Sequence, residues 1–427
     1  MIEINEWGGV TPAETANPTV KGPAPRQAAF GFIFASALMN SISFGIMLPI
    51  VPNLIRELAG GDTSSASEWN VLFATSWGVM QLFCGPLLGM LSDRVGRRPV
   101  LLISFFGLGL DFLLMAYAPN LWWLLVGRLL NGATASTLST ANAYLADVTP
   151  PEKRAKTFGL MGSAFSIGFI VGPMLGGLLG EHSLRLPFIA AAVITFANAI
   201  YGLLVLPESL PKARRATRFE WRRANPLGAL QLLRSHSDLL PLAGVGFLFQ
   251  LSQMVLPTIY VLYTTHRYGW SPGMEGAAFL VIGVLGVFVQ MVLVGPVVAR
   301  FGLRNTILLG AASGAACYAW YGGMANGWVF LAGAALQALQ GFLMPGLQWL
   351  MTRLVRPEEQ GQLQGANQSM MGVASIAGPM VFGMVFAWSV RHESSFSTPG
   401  LAFYLAAGLM IAALVLAFWK ARPPQSN

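Results

Sequence analysis

The sequence contains very little charge. Of its 427 residues, 10% are Asp, Glu, Lys or Arg, whereas soluble domains carry about 25%. Hydrophobic residues make up 54% of the chain. Cysteine is also scarce: Cys84 and Cys317 are the only two, and both fall within apolar stretches, so no disulfide framework is indicated. The composition excludes a surface built mainly to face water.

Apolar blocks long enough to cross a bilayer fill most of the chain. A transmembrane helix needs about 20 mostly apolar residues, and the blocks between polar breaks give twelve such spans. The sequence therefore predicts an all-α membrane protein with twelve transmembrane helices. The spans lie near residues 29–55, 71–91, 100–118, 121–145, 157–179, 187–206, 239–263, 276–299, 306–324, 328–352, 363–388 and 400–419.

Lys and Arg are distributed unevenly between the turns. Of 26 such residues, 21 lie in the even-numbered turns and the two tails, 4 lie in the odd-numbered turns, and Arg128 alone lies inside a span. Because cytoplasmic loops carry the excess of Lys and Arg, we expect a multi-pass inner-membrane protein with both termini in the cytoplasm. Topology thus explains the net charge of +8, and the expected partner is the lipid bilayer rather than nucleic acid.

Short segments recur at a spacing of 206 residues. GMLSDRVGRR at 89–98 aligns with GPVVARFGLR at 295–304, and the same offset relates Gly172-Pro173 to Gly378-Pro379. The matches predict two pseudo-symmetric six-helix bundles, a plan of secondary transporters in which the substrate sits near mid-membrane between the halves. The Arg-rich linker between the halves is interpreted as a solvated connection, with an amphipathic segment on anionic lipid or a regulatory partner site as the alternatives. The predicted organisation is a disordered cytoplasmic tail at 1–27, bundles at 28–206 and 239–419, a cytoplasmic linker at 207–238 and a cytoplasmic tail at 420–427.

A compact charged turn joins spans 2 and 3. Arg94, Arg97 and Arg98 fit the topology rule and can reach lipid phosphates, and Gly96 supports a tight reversal. Topology does not require Asp93. An acid just outside a span can pair with neighbouring arginines and with the N-terminus of a facing helix. We therefore interpret Asp93 and its turn as a latch between the halves, with simple anchoring as the alternative.

Two motifs stand out in the first half. One comprises Gly89, Asp93, Arg94, Gly96, Arg97 and Arg98 of the charged turn, and the other comprises Gly168, Gly172, Pro173, Gly176 and Gly177 of span 5. The turn motif resembles the loop signature of the major facilitator superfamily, and the span 5 motif resembles the antiporter signature of its drug:proton branch. The segments 109–132, 146–165 and 344–365 resemble tetracycline-efflux proteins.

The resemblance implies the major facilitator fold and export of a small amphiphilic compound driven by protons. The proton gradient, rather than a cofactor, would be the energy source.

Asp111 is the acidic residue that lies in the middle of a span. A charge at the bilayer centre is costly unless it is paired or neutralised. At about 1.5 Å per residue, Asp111 and Arg128 lie level on the two arms of a helical hairpin, so an ion pair is expected. We hypothesise that Asp111 carries the coupling proton and that Arg128 biases its protonation; the alternative is a static structural pair. Tetracycline exporters carry an acid and an arginine at matching places, which favours the functional reading.

Neutral hydrogen-bonding side chains recur in the spans. Polar groups in spans usually face the bundle interior, so we predict that they bind substrate; the alternative for each is a bond to a neighbouring helix. The resembled family has acids in spans 1 and 9, where this chain has Asn40 and Gly314, so the pathway carries less negative charge. The predicted substrate-binding residues are Asn40, Gln81, Asn131, Gln250, Gln253 and Gln337.

Three other functions compete with drug export. A carrier of the same fold could move a metabolite or nutrient. A membrane enzyme needs clustered ligands or an acid–base pair, but the four histidines fall in turns or at span ends, so neither catalysis nor a metal site is expected. A receptor would bind its ligand without flux. We expect a monomer that moves a small molecule and protons.

Overall fold

The structure is a computed structural model that describes residues 27–135, 137–215, 239–356, 359–396 and 399–420. These residues form helices joined by short turns and contain no strand. The predicted N-terminal tail, apart from Gln27, lies outside the described residues, as do positions 216–238 of the predicted linker and 421–427 of the C-terminal tail.

The described part of the first half contains seven helices, two of which share one predicted span. They are α1 (Gln27–Leu58), α2 (Thr63–Val95), α3 (Arg97–Tyr117), α4 (Leu121–Thr134), α5 (Thr137–Val148), α6 (Pro151–Gly180) and α7 (Leu186–Val205). A short 3-10 helix, Lys212–Arg214, follows.

The second half repeats this arrangement with more interruptions. Its helices are α8 (Leu239–Gln253), α9 (Val255–Tyr268), α10 (Pro272–Phe288), α11 (Val294–Gly323), α12 (Gly327–Ala332), α13 (Ala334–Leu339), α14 (Leu343–Arg353), α15 (Gln360–Arg391), α16 (Glu393–Phe396) and α17 (Leu401–Lys420). A π-helical turn, Val289–Leu293, joins α10 to α11, and a 3-10 turn, Gln340–Phe342, joins α13 to α14.

Ten segments of the described chain are long and apolar enough to cross a membrane. One of them, Pro272–Gly323, contains two predicted spans that meet where Gly302 has a φ of 76°. The predicted span 121–145 forms the two shorter helices α4 and α5. Each of the twelve predicted spans therefore corresponds to helix, and the all-α membrane fold is confirmed.

Polar residues begin several helices at the end of the molecule remote from the chain termini. The Asp62 carboxylate accepts the backbone N–H groups of Ser64 and Ser65 at the start of α2. Asn120 caps α4 and Asn326 caps α12 in the same way. Such side-chain acceptors satisfy the free N–H groups of a first helical turn, which is why these short turns reverse the chain so tightly.

Helix packing repeats between the halves. In the first half, α1 packs on α6 and α3 packs on α7. The corresponding contacts in the second half are those of α8 and α9 with α15 and of α11 with α17. The turns after α2 and within α11 also match, since Gly96 and Gly302 have φ of 115° and 76°. These glycines are separated by the repeat offset found in the sequence. The two pseudo-symmetric bundles of the predicted fold are thereby confirmed.

The halves meet along two equivalent seams, one between α6 and α10 and one between α2 and α15. Hydrogen bonds cross at the end remote from the termini, which we call the closed end. Ser64 Oγ donates to the Ala387 carbonyl at 3.0 Å, Ser67 Oγ donates to the Gly383 carbonyl at 2.9 Å, and Arg391 pairs with Glu68. These contacts hold α2 against the second half.

The seams separate toward the end that carries the termini, which we call the open end. A Cβ placed on Gly276 of α10 would lie 2.6 Å from the Pro173 carbonyl oxygen of α6. Farther along the same two helices, at Gly162 and Gly286, no atom lies within 4 Å of that position. The Met291 side chain, which also lies toward this end, is 77% exposed. The close backbone contact between α6 and α10 therefore lies toward the closed end.

Candidate functional site

The centre of the first half contains a buried ion pair. Asp111 of α3 is 0% exposed, and the Arg128 guanidinium of α4 donates to its Oδ2 through Nη2. Arg128 Nη2 also lies 3.2 Å from the Met115 sulfur. The helical hairpin α3–α4 sets the two side chains level, as the sequence predicted. Asp111 faces the neighbouring helix rather than the outer surface of the bundle.

A short hydrogen-bonded chain links this pair to α2. Asn131 Nδ2 donates to Asp111 Oδ2 at 2.8 Å, and Asn131 Oδ1 accepts the Trp77 indole N–H at 2.8 Å. Trp77 is half-buried and precedes Gly78, where a Cβ would lie 3.0 Å from Ile376 Cγ1 of the second half. A continuous series of contacts thus runs from the Asp111 carboxyl to the seam between α2 and α15.

One oxygen of the carboxyl is left without a partner. Asp111 Oδ1 is buried and accepts no hydrogen bond from the described residues, and Arg128 Nε is likewise unpaired. The carboxyl lies so close to α4 that a Cβ on Gly127 would come within 2.7 Å of Oδ1. Glycine at this position allows that approach. Because an unsatisfied buried acceptor costs free energy, this oxygen adds to the cost of burying the carboxylate.

The second half contains a cluster of amides and tyrosines. The Tyr318 hydroxyl donates to Gln253 Oε1 at 2.7 Å, and Gln340 Nε2 donates to the same oxygen at 3.2 Å. Nearby, the Tyr321 hydroxyl donates to Gln337 Oε1 at 2.8 Å. Two predicted substrate residues, Gln253 and Gln337, therefore lie in hydrogen-bonded networks.

The other predicted substrate residues have different surroundings. Asn131 belongs to the Asp111 network, so the structure places it with the ion pair. Asn40, Gln81 and Gln250 are half-buried. Among the described residues, no hydrogen bond ties these three amides to a neighbouring helix, so their role in substrate binding stays a prediction.

Gly314 lies against the amide cluster. A Cβ at this position would come 3.0 Å from Gln340 Oε1 and 2.5 Å from Met410 Cε. Gln340 Oε1 is buried and has no partner among the described residues. An acidic side chain at Gly314 would therefore displace Met410 and set a carboxylate against a carbonyl oxygen. The glycine is compatible with a neutral site.

The charged turn forms its observed bonds within the first half. Arg97 Nη1 pairs with Asp93 at 2.5 Å, and Arg97 Nε pairs with Asp147 at 3.3 Å. The Glu208 carboxylate accepts the backbone N–H groups of Arg97 at 2.8 Å and Arg98 at 3.3 Å. A latch through Asp93 to the second half stays a prediction, because in this conformation the residue pairs with its own helix. Sequence reasoning missed Glu208, which lies far away in the chain.

The glycines of α6 form a close helix contact. Each of Gly168, Gly172 and Gly176 faces α1, where a Cβ on Gly172 would come 2.6 Å from the Ile42 carbonyl oxygen. Gly177 instead faces α10 of the second half, with its Cβ position 3.0 Å from Gly276 Cα. Spacing of i, i+4 and i+8 lets backbones approach closely. The motif thus packs α6 closely against α1 of its own half and against α10 of the second half.

The sequence did not lead us to predict a second buried acid. Glu275 lies in the first turn of α10 and is 0% exposed. The predicted span began at 276, whereas the helix begins at Pro272, so Glu275 was assigned to a turn. The sequence Ser271-Pro272 could have indicated the earlier start, because Ser is a common helix cap and Pro is common in the first turn. Glu275 is thus a buried acid at the start of a span, whereas Asp111 lies in the middle of one.

Comparison with known proteins decides the family. A family model described as Major Facilitator Superfamily matches residues 33–327 and 242–427. The chain belongs to the Major Facilitator Superfamily. It is 36% identical over 382 residues to the tetracycline resistance protein of class C from Escherichia coli, covering 90% of this chain and 94% of the relative. It is 32% identical over 393 residues to the class H protein from Pasteurella multocida, covering 91% and 96%.

Solved structures share the fold. The nucleoside transporter NupG matches with a TM-score of 0.74 at 14% identity, covering 92% of this chain and 99% of that chain. As a member of this superfamily, the chain is a multi-pass membrane transporter of small molecules and not an enzyme.

Proposed function

We propose that this transporter exports a small amphiphilic compound in exchange for protons, by alternating access between its two halves. The observation that carries the proposal is the Asp111 carboxyl, which is buried, paired with Arg128 and linked through Asn131 to α2. An ionisable group at membrane depth marks a substrate or proton pathway by default. The similarity to tetracycline resistance proteins supports the direction of transport.

In the proposed cycle, a proton that reaches Asp111 neutralises the carboxylate and weakens its attraction to Arg128. Asn131 then donates to a neutral acceptor, and a hydrogen bond to a charged partner is about twice as strong as one to a neutral partner. Because Asn131 also accepts a hydrogen bond from Trp77, the weaker bond between Asn131 and Asp111 would also weaken the hold on Trp77 of α2, next to Gly78. Protonation thereby favours a different packing of the α2–α15 seam.

The open end is proposed to face the cytoplasm. Helix α1 begins at this end and α17 finishes at it. Of the 26 basic residues, 21 lie in the tails and in the turns on the side of the termini, which supports a cytoplasmic location of the termini. In this orientation the conformation described is inward-facing, ready to load substrate from the cytoplasm. The closed end then faces the opposite side of the inner membrane.

The proposed substrate is an amphiphile that uses hydrogen bonds and apolar contact. Asn40, Gln81 and Gln250 are half-buried amides, and Gln253 offers an amide held by Tyr318. Such groups bind carbonyls, hydroxyls and amines without demanding a full charge. Tetracycline is the first compound to test because of the named relatives. The proton gradient would supply the energy without a cofactor, and the monomer would be the working unit.

A drug-susceptibility panel tests the proposal. Cells expressing the wild type, Asp111→Asn and the control Glu57→Gln, which alters an exposed acid at the end of α1, would be compared across antibiotics and amphiphilic dyes. We expect raised resistance to at least one compound for the wild type and control, and loss of that resistance for Asp111→Asn at equal membrane abundance.

Two outcomes would overturn the proposal. Full resistance in the Asp111→Asn cells would remove Asp111 from the mechanism. No resistance for any compound, together with proton-dependent uptake of a metabolite, would favour a nutrient or metabolite carrier of the same fold instead.

A further inference from the structure

The buried carboxyl of Glu275 lies in the second half, away from the Asp111 site. Its Oε1 is hydrogen-bonded to Thr264 Oγ1 of α9, and its Oε2 is buried without a partner among the described residues. A buried carboxylate normally has a cation or several donors around it. Glu275 has one hydroxyl neighbour, so its protonation state needs an explanation.

The hydrogen of the Thr264 hydroxyl gives that explanation. Thr264 Oγ1 lies 2.8 Å from the Tyr260 carbonyl oxygen and 3.1 Å from the Val261 carbonyl oxygen, and both oxygens can only accept. A hydroxyl has one hydrogen to donate, so Thr264 can satisfy either a carbonyl of its own helix or Glu275 Oε1, but not both. When that hydrogen bonds to the helix, the contact between Thr264 Oγ1 and Glu275 Oε1 requires a hydrogen from Glu275. The site therefore accommodates a neutral carboxylic acid that donates to the hydroxyl.

The groups around Glu275 offer no compensating positive charge. The Tyr260 hydroxyl of α9 is buried without a partner among the described residues, and Tyr321 of α11, whose ring centroid lies 6.2 Å from that of Tyr260, donates to Gln337. Glu181, which follows α6, accepts the Gly273 N–H at 2.8 Å. Each of these groups is neutral or acidic, so none of them would stabilise an ionised Glu275.

The basic side chains at the closed end have other partners. Arg185 donates to the Ala116 and Ala118 carbonyls at 2.9 and 3.0 Å, and Arg267 donates to the Met324 carbonyl at 3.2 Å. Arg391 pairs with Glu68, and His266 pairs with Glu393 at 2.8 Å. Among the described residues, therefore, no ion pair includes Glu275.

The place of Glu275 ties it to the seam between the halves. It lies between Gly273 and Gly276 of α10, and α6 covers both glycines. Glu181 bonds the Gly273 N–H, and a Cβ on Gly276 would lie 2.6 Å from the Pro173 carbonyl oxygen. These contacts belong to the closed end, and a separation of α6 from α10 would remove them from the first turn of α10.

We propose that Glu275 is a second proton-binding site of the transporter, which holds a proton while this end is closed and releases it when α6 and α10 separate. Proton binding at Glu275 then favours closure, because an ionised carboxylate without a partner would be expensive to bury. The inference rests on the alternating access of the proposed function, but it does not require Asp111 to be the coupling carboxyl.

Infrared spectroscopy of the purified full-length protein in lipid nanodiscs tests the protonation directly. At neutral pH we expect the carbonyl band of a protonated carboxyl that is lost in Glu275→Gln and retained in Asp111→Asn. Glutamine matches the shape and keeps a donor for Thr264, so the variant should fold. Identical carboxyl spectra for wild type and Glu275→Gln at every pH would show that Glu275 is ionised and would overturn the proposal.

Spin-label distances test the link to closure. Labels would be placed on the exposed positions Ser183 and Ala325, one in each half at this end, with Cys84 and Cys317 replaced by serine. We expect the wild type and the control Glu57→Gln to shift toward longer distances as the pH rises, and Glu275→Gln to lose that shift. A shift in Glu275→Gln equal to that of the wild type would contradict the proposal. Normal drug export by Asp111→Asn would refute the proposed coupling residue and leave both results on Glu275 intact.

Discussion

The Asp111 carboxyl and the Arg128 guanidinium form an ion pair between α3 and α4 in which a single oxygen, Oδ2, accepts from both Arg128 and Asn131. The other oxygen, Oδ1, is buried and unpaired beside Gly127. The two oxygens of the carboxyl therefore differ: Oδ2 receives both hydrogen bonds, whereas Oδ1 lies against the backbone of α4.

Removal of Arg128 alone is predicted to destabilise the protein. Arg128→Gln leaves the Asp111 carboxylate buried without its cation, and breaking a buried pair costs about 3–5 kcal/mol. The double variant Asp111→Asn/Arg128→Gln removes both charges and should recover most of that loss while staying inactive in transport. Thermal unfolding in detergent measures the stabilities. Equal unfolding temperatures for the single and double variants would contradict the prediction.

The Trp77–Asn131 bond is predicted to affect transport more than stability. Trp77→Phe removes one hydrogen bond, worth about 0.5–1.5 kcal/mol, and frees Asn131 Oδ1. We expect a lower export rate with a nearly unchanged unfolding temperature. The matched control is Trp123→Phe, since the Trp123 side chain is 49% exposed on the outside of α4. Equal export rates for the two variants would argue against a link from Asp111 to α2.

The glycine contact of α6 gives a positional prediction. A Cβ on Gly172 would come 2.6 Å from the Ile42 carbonyl oxygen and 2.7 Å from Gly45 Cα, whereas nothing lies within 4 Å of that position on Gly162. Gly172→Val should cost about 1–3 kcal/mol through overpacking and reduce export. Gly162→Val, on the same helix, should be close to the wild type in both. Similar losses for the two variants would show that helix propensity, not backbone approach, decides the effect.

The two positive-φ glycines separate backbone strain from steric contact. An alanine at either position adopts an unfavourable φ, which costs about 1–3 kcal/mol. At Gly96 the new Cβ would also collide with the Glu208 carboxylate, whereas nothing lies within 4 Å at Gly302. Unfolding measurements should therefore find Gly96→Ala less stable than Gly302→Ala. The reverse order would contradict the capping role of Glu208.

Acid is predicted to weaken the closed end through Glu181. Hydrogen bonds from the Ser271 side chain and the Gly273 N–H lower the pKa of Glu181 below its ordinary value. A lowered pKa means that the contact is fully present above the ordinary pKa and is lost as the pH falls through the lowered one. Distances between labels at 183 and 325 should lengthen in that acidic range, and Glu181→Gln should lack the step. An acid step that persists in Glu181→Gln would assign it to another group.

The sequence predicted the helices and the ion pair because both depend on local spacing. Apolar length gives a span, and two arms of a hairpin bring Asp111 and Arg128 level whatever lies around them. The 206-residue repeat likewise predicted the matching turns at Gly96 and Gly302.

The parts that were missed depend on distant contacts. Glu208 bonds to Arg97 although 111 residues separate them in the chain, and no sequence pattern in either segment indicates this contact. Glu275 was missed because its helix begins earlier than its apolar run. The cluster of Gln253, Tyr318 and Gln340 joins α8, α11 and the 3-10 turn after α13. Because these elements are far apart in the chain, the three residues looked like independent polar residues in the sequence.

Proton flux in proteoliposomes tests the central claim most directly. Purified wild type and Asp111→Asn would be reconstituted with a pH-sensitive dye inside, and an exported compound from the susceptibility panel would be added to drive exchange. The account predicts a substrate-dependent proton movement, opposite in direction to the substrate, in the wild type and none in Asp111→Asn. Equal proton movement in both proteins, or substrate movement without protons in the wild type, would contradict it.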